Sequence, residues 1–354
     1  MADVVLVTGV SRYLGGRFAS MLSRTSGVSR VIGVDVVPPP HDIGSAEFVR
    51  ADIRNPVIAK VIGRAEVDTV VHMNVIATPT SAGGRASMKE INVIGTMQLL
   101  AACQKAPTVR RLVVKSTAAV YGSSPRDPAL FTEDMGPKVM PRAGWGKDSV
   151  EVEGYVRGFS RRRPDVDVAV LRLANFVGPG VRTAVTDYLE LPVVPTVLGY
   201  DPRFQLVHED DGLEAMLLAT TGQVTGFLNV AADGFLTLRQ AARIAGRPTL
   251  PVPGPLVSVV GSAIRTTGLA DFSSDQVRFL SFGRGLDTTR MRADLGLEPR
   301  WTTREALEDL VRARRLHGLL SPSLVRAGEQ AVLAAAGPVL REVESFARGV
   351  RPGG

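Results

Sequence analysis

One cysteine, Cys103, stands in 354 residues, so no disulfide framework can form within the chain. It sits in an apolar helical run over residues 97–103, where a reduced core thiol is expected. With only four histidines besides, no Cys/His spacing of the metal-binding kind appears, and no metal is expected. No uncharged apolar run reaches the ~20 residues of a membrane span. No charged segment followed by an apolar one opens the sequence, so no secretory signal is visible and a cytoplasmic location is expected. Lysine is scarce: 36 of the 42 basic residues are arginine, and the net charge is +7. The arginine clusters at 110–111, 161–163 and 312–315 carry no interleaved aromatics. They read as a solvated basic surface, so no nucleic-acid partner is expected, while a phosphate-bearing small-molecule substrate is compatible.

What is present is a globular composition, 45% hydrophobic and 22% charged, long enough for one large or two modest domains. Residues 4–7 are apolar β-formers running into Thr8-Gly9-Val10-Ser11-Arg12-Tyr13-Leu14-Gly15-Gly16. This pattern predicts a buried strand, a tight turn at Gly9 and a helix over 17–23, with Gly15 allowing close backbone approach. A helix N-terminus so placed offers backbone N–H groups and a positive dipole end to a pyrophosphate. Asp35 ends the next apolar stretch, 26 residues after Gly9, where an acid accepts bonds from adenosine ribose hydroxyls. An acid there repels a 2′-phosphate and favours NAD; Arg12, standing where a glycine is usual, suits NADP, which stays open. Asp52, followed by Ile53, ends a third strand, where it either meets the adenine amino group or serves as a plain turn acid. Residues 67–72 make a fourth strand ending in His72. A long helix over 86–103, a strand over 111–116, a helix from Lys147 and a strand over 166–173 follow. Apolar strands alternating with helices predict an α/β fold, with a parallel sheet covered on both faces.

The joint order of these blocks is specific. Thr8-Gly9 to Gly15, Asp35, Asp52, His72, Asn92-Val93-Ile94-Gly95-Thr96, Ser116-Thr117-Ala118-Ala119-Val120-Tyr121-Gly122, Leu171-Arg172-Leu173-Ala174-Asn175 and His208-Glu209-Asp210-Asp211 together resemble the extended short-chain dehydrogenases/reductases. Within them the chain is similar to the NAD-dependent epimerase/dehydratase group acting on nucleotide sugars, over roughly residues 3–315. The resemblance implies a Rossmann-type doubly wound sheet with a smaller C-terminal substrate domain. It implies a cofactor side built from Thr8, Gly9, Ser11, Arg12, Tyr13, Leu14, Gly15, Asp35, Asp52, Ile53, His72, Asn92 and Lys147. It also implies a homodimer formed through the long helices near 86–104 and 147–161. The domains drawn on it are 1–175 with 204–235 returning, then 176–203 with 236–315, and a helical extension over 316–354.

In that family a Ser or Thr orients the substrate oxygen, and a Tyr-x-x-x-Lys pair moves the proton. The lysine ammonium lowers the tyrosine from its ordinary pKa of about 10 toward neutrality. Here Thr117 holds the hydroxyl position, but the pair fails in both registers. Lys147 as the lysine puts Ala143 at the tyrosine. Glu153 as the family's trailing acid puts Ser149 at the lysine and Trp145 at the tyrosine, and this register fits Val150-Glu151-Val152-Glu153 better. Thr117 and Lys147 are the catalytic candidates, with His72, Glu133 and Asp134 as further acids or bases. A second departure is Phe204-Gln205-Leu206-Val207-His208, where Arg203 falls one residue short of the family's phosphate-gripping arginine and so on the opposite strand face. His208 and Asp211 are expected to tie loops between domains, and Thr303 to cap the last family helix. Three functions follow as expectations: an NAD(P)-dependent oxidoreductase or epimerase with a non-standard acid/base, a dinucleotide-binding sensor or scaffold without catalysis, and a dehydrogenase of lipid or steroid-like alcohols.

Overall fold

The computed structural model describes residues 2–73, 84–142, 144–253, 257 and 274–316. Ala143, most of the apolar segment over 256–264 and the extension beyond residue 316 lie outside the described residues. Seven parallel strands form the central sheet: β1 (Val4–Thr8), β2 (Arg30–Asp35), β3 (Glu47–Arg50), β4 (Thr69–His72), β5 (Arg111–Thr117), β6 (Asp167–Leu173) and β7 (Gly226–Val230). Their spatial order is β7-β6-β5-β4-β1-β2-β3. The chain runs outward from β1 in one direction and, from β4, in the other. The switch point between β1 and β4 opens the crevice in which doubly wound sheets bind ligands, at the carboxyl ends of the strands.

Burial on both faces accounts for the nearly unbroken apolar strands. One face packs β1, β5 and β6 side chains against α1 (Tyr13–Leu22) and α5 (Glu209–Thr221), through Val7, Phe18, Val113, Leu171 and Leu213. The other packs Leu6, Ile32, Val70 and Val114 against α2 (Val57–Arg64), α3 (Thr96–Lys105) and α4 (Gly144–Arg162). Cys103 is fully buried there, its thiol pushed up to about 12 by burial. A third core joins Val177, Tyr188, Phe204, Leu236, Leu238, Phe279 and Leu307, bringing α6 (Ser274–Phe282) and α7 (Thr303–Ala313) together above the strand ends.

Three local features differ from the sequence expectation. Helix α1 begins at Tyr13, not near residue 17, because Gly15 and Gly16 are packed into its first turn. A Cβ on Gly15 would stand 2.1 Å from the Gly9 carbonyl oxygen, and one on Gly16 would stand 1.8 Å from His41 Nε2. The long helix before β5 spans residues 85–105, with a π-helical stretch at Glu90–Gly95 inside it. The cap of α7 is Thr302, whose hydroxyl accepts from the Glu305 N–H while Glu305 accepts from Thr302 N. Thr303 is fully buried and donates its hydroxyl to Gly234 O. His208 stacks on Trp301 at 4.3 Å and bonds Asp309 at 3.3 Å, and Asp211 accepts the Arg300 and Trp301 N–H groups.

Helix α4 is locked to the sheet by charge. Arg172 on β6 donates to both carboxylate oxygens of Glu153 at 3.0 and 2.8 Å, with both side chains under 5% exposed. Ser116 donates to Glu153 Oε1 at 2.8 Å, and Arg172 also reaches the Tyr121 hydroxyl at 2.8 Å. Removing one half of such a pair strands a buried charge, at a cost of about 3–5 kcal/mol. Glu153→Ala is therefore expected to lower unfolding free energy by about that amount in chemical denaturation. A loss below about 1 kcal/mol would show that the pair does not hold α4.

Candidate active site

The strand ends on the β1 side of the switch point carry the glycine turn. Gly9 takes φ 80°, a left-handed conformation that glycine adopts without penalty. The turn then passes Ser11 and Arg12 into α1, whose N-cap, Arg12, makes no side-chain cap bond. Asp35 at the end of β2 accepts from the Ser11 N–H and hydroxyl and from the Val36 N–H at 2.7 Å. The carboxylate so braces the turn from its rear. These residues fit a dinucleotide: a glycine-tight backbone approach, a helix N-terminus without first-turn acids, and an acid at the second strand end.

Between this turn and the third core lies a cavity of about 490 Å³. Ser11, Arg12, Tyr13, Leu14 and Gly15 form one wall. Lys115, Ser116 and Thr117 form the floor with residues 173–176. Gly122, Ser123, residues 139–141, Trp145 and Gly146 close a second side, and residues 180–185 with Asp275, Gln276, Arg278 and Phe279 of α6 stand opposite. Five cations line it (Arg12, Lys115, Arg182, Arg278 and Arg284) against one carboxylate, Asp275, among the described residues. Burial lowers Arg12 against the opposing pull of Asp35, and burial brings Arg284 down to about 10. Arg284 donates to Gly122 O at 2.9 and 2.6 Å and to Ser123 Oγ at 3.1 Å, fixing the turn that follows Tyr121.

The structure brings some expected residues together and leaves others apart. Thr117 lines the floor, its hydroxyl accepting from Ala119 N at 3.1 Å. Lys147 does not line the cavity; its side chain is 46% exposed and faces Glu151 at 4.0 Å. The reason is helical: Trp145, Ser149 and Glu153 share the inner face of α4 at i, i+4 and i+8, and Lys147 is turned about 200° from Trp145. Trp145 reaches the cavity, and Ser149 is buried and donates to the Trp145 carbonyl at 2.8 Å. The Ala143 position of the alternative register lies outside the described residues.

His72 is fully buried between the hydroxyls of Thr8 (2.9 Å) and Thr96 (2.8 Å). Burial, with Lys115 nearby, holds it down to about 3, so it is a neutral pin between β1 and the helix that follows β4. Asp52 is held by Arg54 at 2.7 Å, Ile53 packs on Gly95, and buried Asn92 lies 3.5 Å from Asp148. None of these lines the cavity. Glu133 accepts from Asn229 N, and Asp134 is an exposed turn acid bonded by Thr132. Tyr121 is a packing group, stacked 4.5 Å from Phe131 with its hydroxyl 2.8 Å from Asn229 Oδ1. Phe204, at the expected clamp position, is buried in the third core, Gln205 bonds Ala232 O and Leu286 N, and Arg203 lies over Phe235.

Lys115, Arg278 and Arg284 escaped the sequence reading. For Lys115 a signal exists: in a chain with so little lysine, one directly follows the apolar run Leu112-Val113-Val114, two residues before Thr117.

A family model described as the NAD dependent epimerase/dehydratase family matches residues 5–231. The chain belongs to that family. An uncharacterized protein of Mycobacterium tuberculosis (strain ATCC 25618 / H37Rv) is 50% identical over 330 residues, covering 92% of this chain and 88% of its own length. Among solved structures, this chain is similar in fold to the UDP-glucose 4-epimerase of Thermotoga maritima with UDP-glucose. That match has a TM-score of 0.69 and 22% identity, covering 88% of this chain and 98% of that one. The dTDP-glucose 4,6-dehydratase of Bacillus anthracis in complex with NAD matches at TM-score 0.67 and 19% identity, over 89% and 97%. Among the described residues no helix is long and apolar enough to cross a membrane, and no group of three or more His, Cys, Asp or Glu is gathered as a metal site.

His72 yields a pH prediction. Its folded pKa lies below the unfolded value of about 6.5, so the unfolded state binds one more proton between them. Stability is complete above pH 6.5 and falls, by at most about 1.4 kcal/mol per pH unit, as pH drops toward 3. In His72→Gln the slope of unfolding free energy between pH 6.5 and 4 is expected to shrink by about one proton. An unchanged slope would show that His72 titrates normally.

Proposed function

We propose that this member of the epimerase/dehydratase family is an NAD-dependent oxidoreductase or epimerase acting on a secondary alcohol of a nucleotide sugar or related phosphate-bearing compound. The observation that carries the reading is the cavity beside the glycine turn, with five cations against one carboxylate. Such a lining suits a ligand carrying at least two phosphate charges. The turn of Gly9 to Gly15 and α1 would hold the dinucleotide pyrophosphate, and Asp35 its ribose hydroxyls. Bound NAD would supply a hydride acceptor. Thr117 would orient the substrate oxygen, while Arg182, Arg278 and Arg284 face the space left for a diphosphate. The solved neighbours with UDP-glucose or NAD support this assignment of partners. NADP is disfavoured by Asp35 and favoured by Arg12, so isothermal titration with both cofactors decides between them.

A second reading, a dinucleotide-binding sensor without turnover, is favoured by Trp145, which stands on the cavity wall where the family's tyrosine is expected. The two readings part in one assay: protein with NAD and a panel of UDP- and dTDP-sugars, followed at the absorbance of reduced nicotinamide and for epimerised product. The oxidoreductase reading requires hydride exchange with at least one. NAD-dependent thermal stabilisation without any exchange selects the sensor.

Losing one charged contact to a diphosphate is worth on the order of tenfold in affinity. Arg278→Gln is thus expected to weaken nucleotide-sugar binding about tenfold and leave NAD affinity within threefold. Equal loss of both would place Arg278 elsewhere than at the sugar-nucleotide end.

A further inference from the structure

Oxidising a secondary alcohol needs a group that takes the hydroxyl proton, and α4 presents neither tyrosine nor lysine to the cavity. The group must therefore come from another wall. Among described lining residues the titratable side chains, apart from four arginines, are Tyr13, Lys115 and Asp275. The guanidinium groups stay charged across the working pH range. The Tyr13 hydroxyl donates to Glu209 Oε1 at 2.7 Å, and burial with that bond pushes the phenol up, away from neutral pH. Asp275 belongs to α6, the wall facing the floor that bears Thr117.

Lys115 is on that floor. Alternate residues of a strand share one face, so Lys115 and Thr117 point the same way about 6.6 Å apart along β5. Both line the cavity. The flexible four-carbon stem of a lysine spans that separation, so the amine can stand beside whatever oxygen Thr117 holds. We propose that Lys115 is the proton-transferring residue of this site, its amine doing the work that the Tyr-x-x-x-Lys pair does elsewhere in the family. The proposal rests on the oxidoreductase reading above.

The step balances with an oxidised nicotinamide dinucleotide as the two-electron acceptor. The carbinol C–H bond breaks and its electron pair leaves as hydride to that acceptor. The O–H bond breaks, its pair becomes the second carbon–oxygen bond, and the proton forms a new N–H bond on Lys115, turning the neutral amine into ammonium. The return step reverses each transfer, and delivery of hydride to the other face of the carbonyl inverts the centre.

The electrostatics suit the task. Burial first, and Arg12 second, bring Lys115 down to about 8, where amine and ammonium are both populated near neutral pH. The charged and titratable groups described around it are Arg12 from the glycine turn and His72 from the neighbouring β4, with Asp275, Arg278 and Arg284 lining the same cavity. Arg12 adds to burial in holding the amine low. His72 stays neutral through this range.

Two measurements on the full chain test the proposal. Trace acetylation of the cofactor-free protein across pH 6–10, read by peptide mass spectrometry, reports the titration of each of the six lysines. Lys115 is expected to titrate well below the other five, and a midpoint alongside theirs would overturn the proposal. The second measurement compares wild type, Lys115→Met, Lys115→Arg and Asp275→Asn for NAD affinity by calorimetry and for hydride exchange. Lys115→Met is expected to keep NAD affinity within about threefold and lose exchange by about 10²–10⁴, with no recovery in Lys115→Arg, whose charge cannot be shed. Alcohol oxidation in wild type should rise with pH through the Lys115 midpoint. Tenfold loss of NAD affinity in Lys115→Met that Lys115→Arg restores would make Lys115 a phosphate-holding cation and sink the proposal. So would exchange retained in Lys115→Met but lost in Asp275→Asn. Wild type without exchange on any alcohol overturns the oxidoreductase reading itself, and the proposal with it.

Discussion

The buried pair of Glu153 and Arg172 decides where the working surfaces of this protein stand. Two charges almost closed off from water are tolerable only because their bonding capacity is filled: Arg172 grips both carboxylate oxygens, Ser116 adds a third bond, and Tyr121 takes another arginine N–H. Through those contacts one helix, two strands and the turn after Thr117 become a single unit. The pair fixes the rotation of α4, and with it which of its side chains can look into the cavity.

That rotation gives the departure from the family its meaning. Trp145 and Ser149 occupy the inward positions, and the one lysine of the segment is turned to solvent. A substitution at 145 or 149 alone would leave a tyrosine without its ammonium or an ammonium without its phenol. The cationic lining comes instead from the glycine turn, β5, the segment over 180–185, α6 and the residues just after α6, which lie far apart in the chain. Arg12 and Lys115 lie on the glycine-turn side, and Arg182, Arg278 and Arg284 come from the segments that pack above the strand ends. A ligand bearing phosphates at both ends of its binding mode would meet positive charge on each.

Much of the fold was legible beforehand. Strand-length apolar runs alternating with helical ones need burial on both faces, and right-handed crossovers then leave few orders for the strands. Gly9 and Gly15 were readable because only a side chain of hydrogen fits where backbone meets backbone. The start of α1, the π-helical turn and the Thr302 cap were not. Distant segments pack at these places: His41 beside Gly16, Ile53 beside Gly95, and Gly234, whose carbonyl accepts the Thr303 hydroxyl.

The sequence by itself determined the class of sheet, the glycine turn, the acid at the end of the second strand, the Thr117 position and the absence of the tyrosine–lysine pair. These are local matters of residue type and spacing. Only the tertiary structure decided that His72 is a neutral pin, that Asp52 is spent on Arg54, that Lys147 faces water and that Lys115 and Arg284 face the cavity. A side chain's partners, its solvation and hence its charge are set by what the rest of the chain packs around it, and one turn of a helix or one step along a strand reverses the outcome.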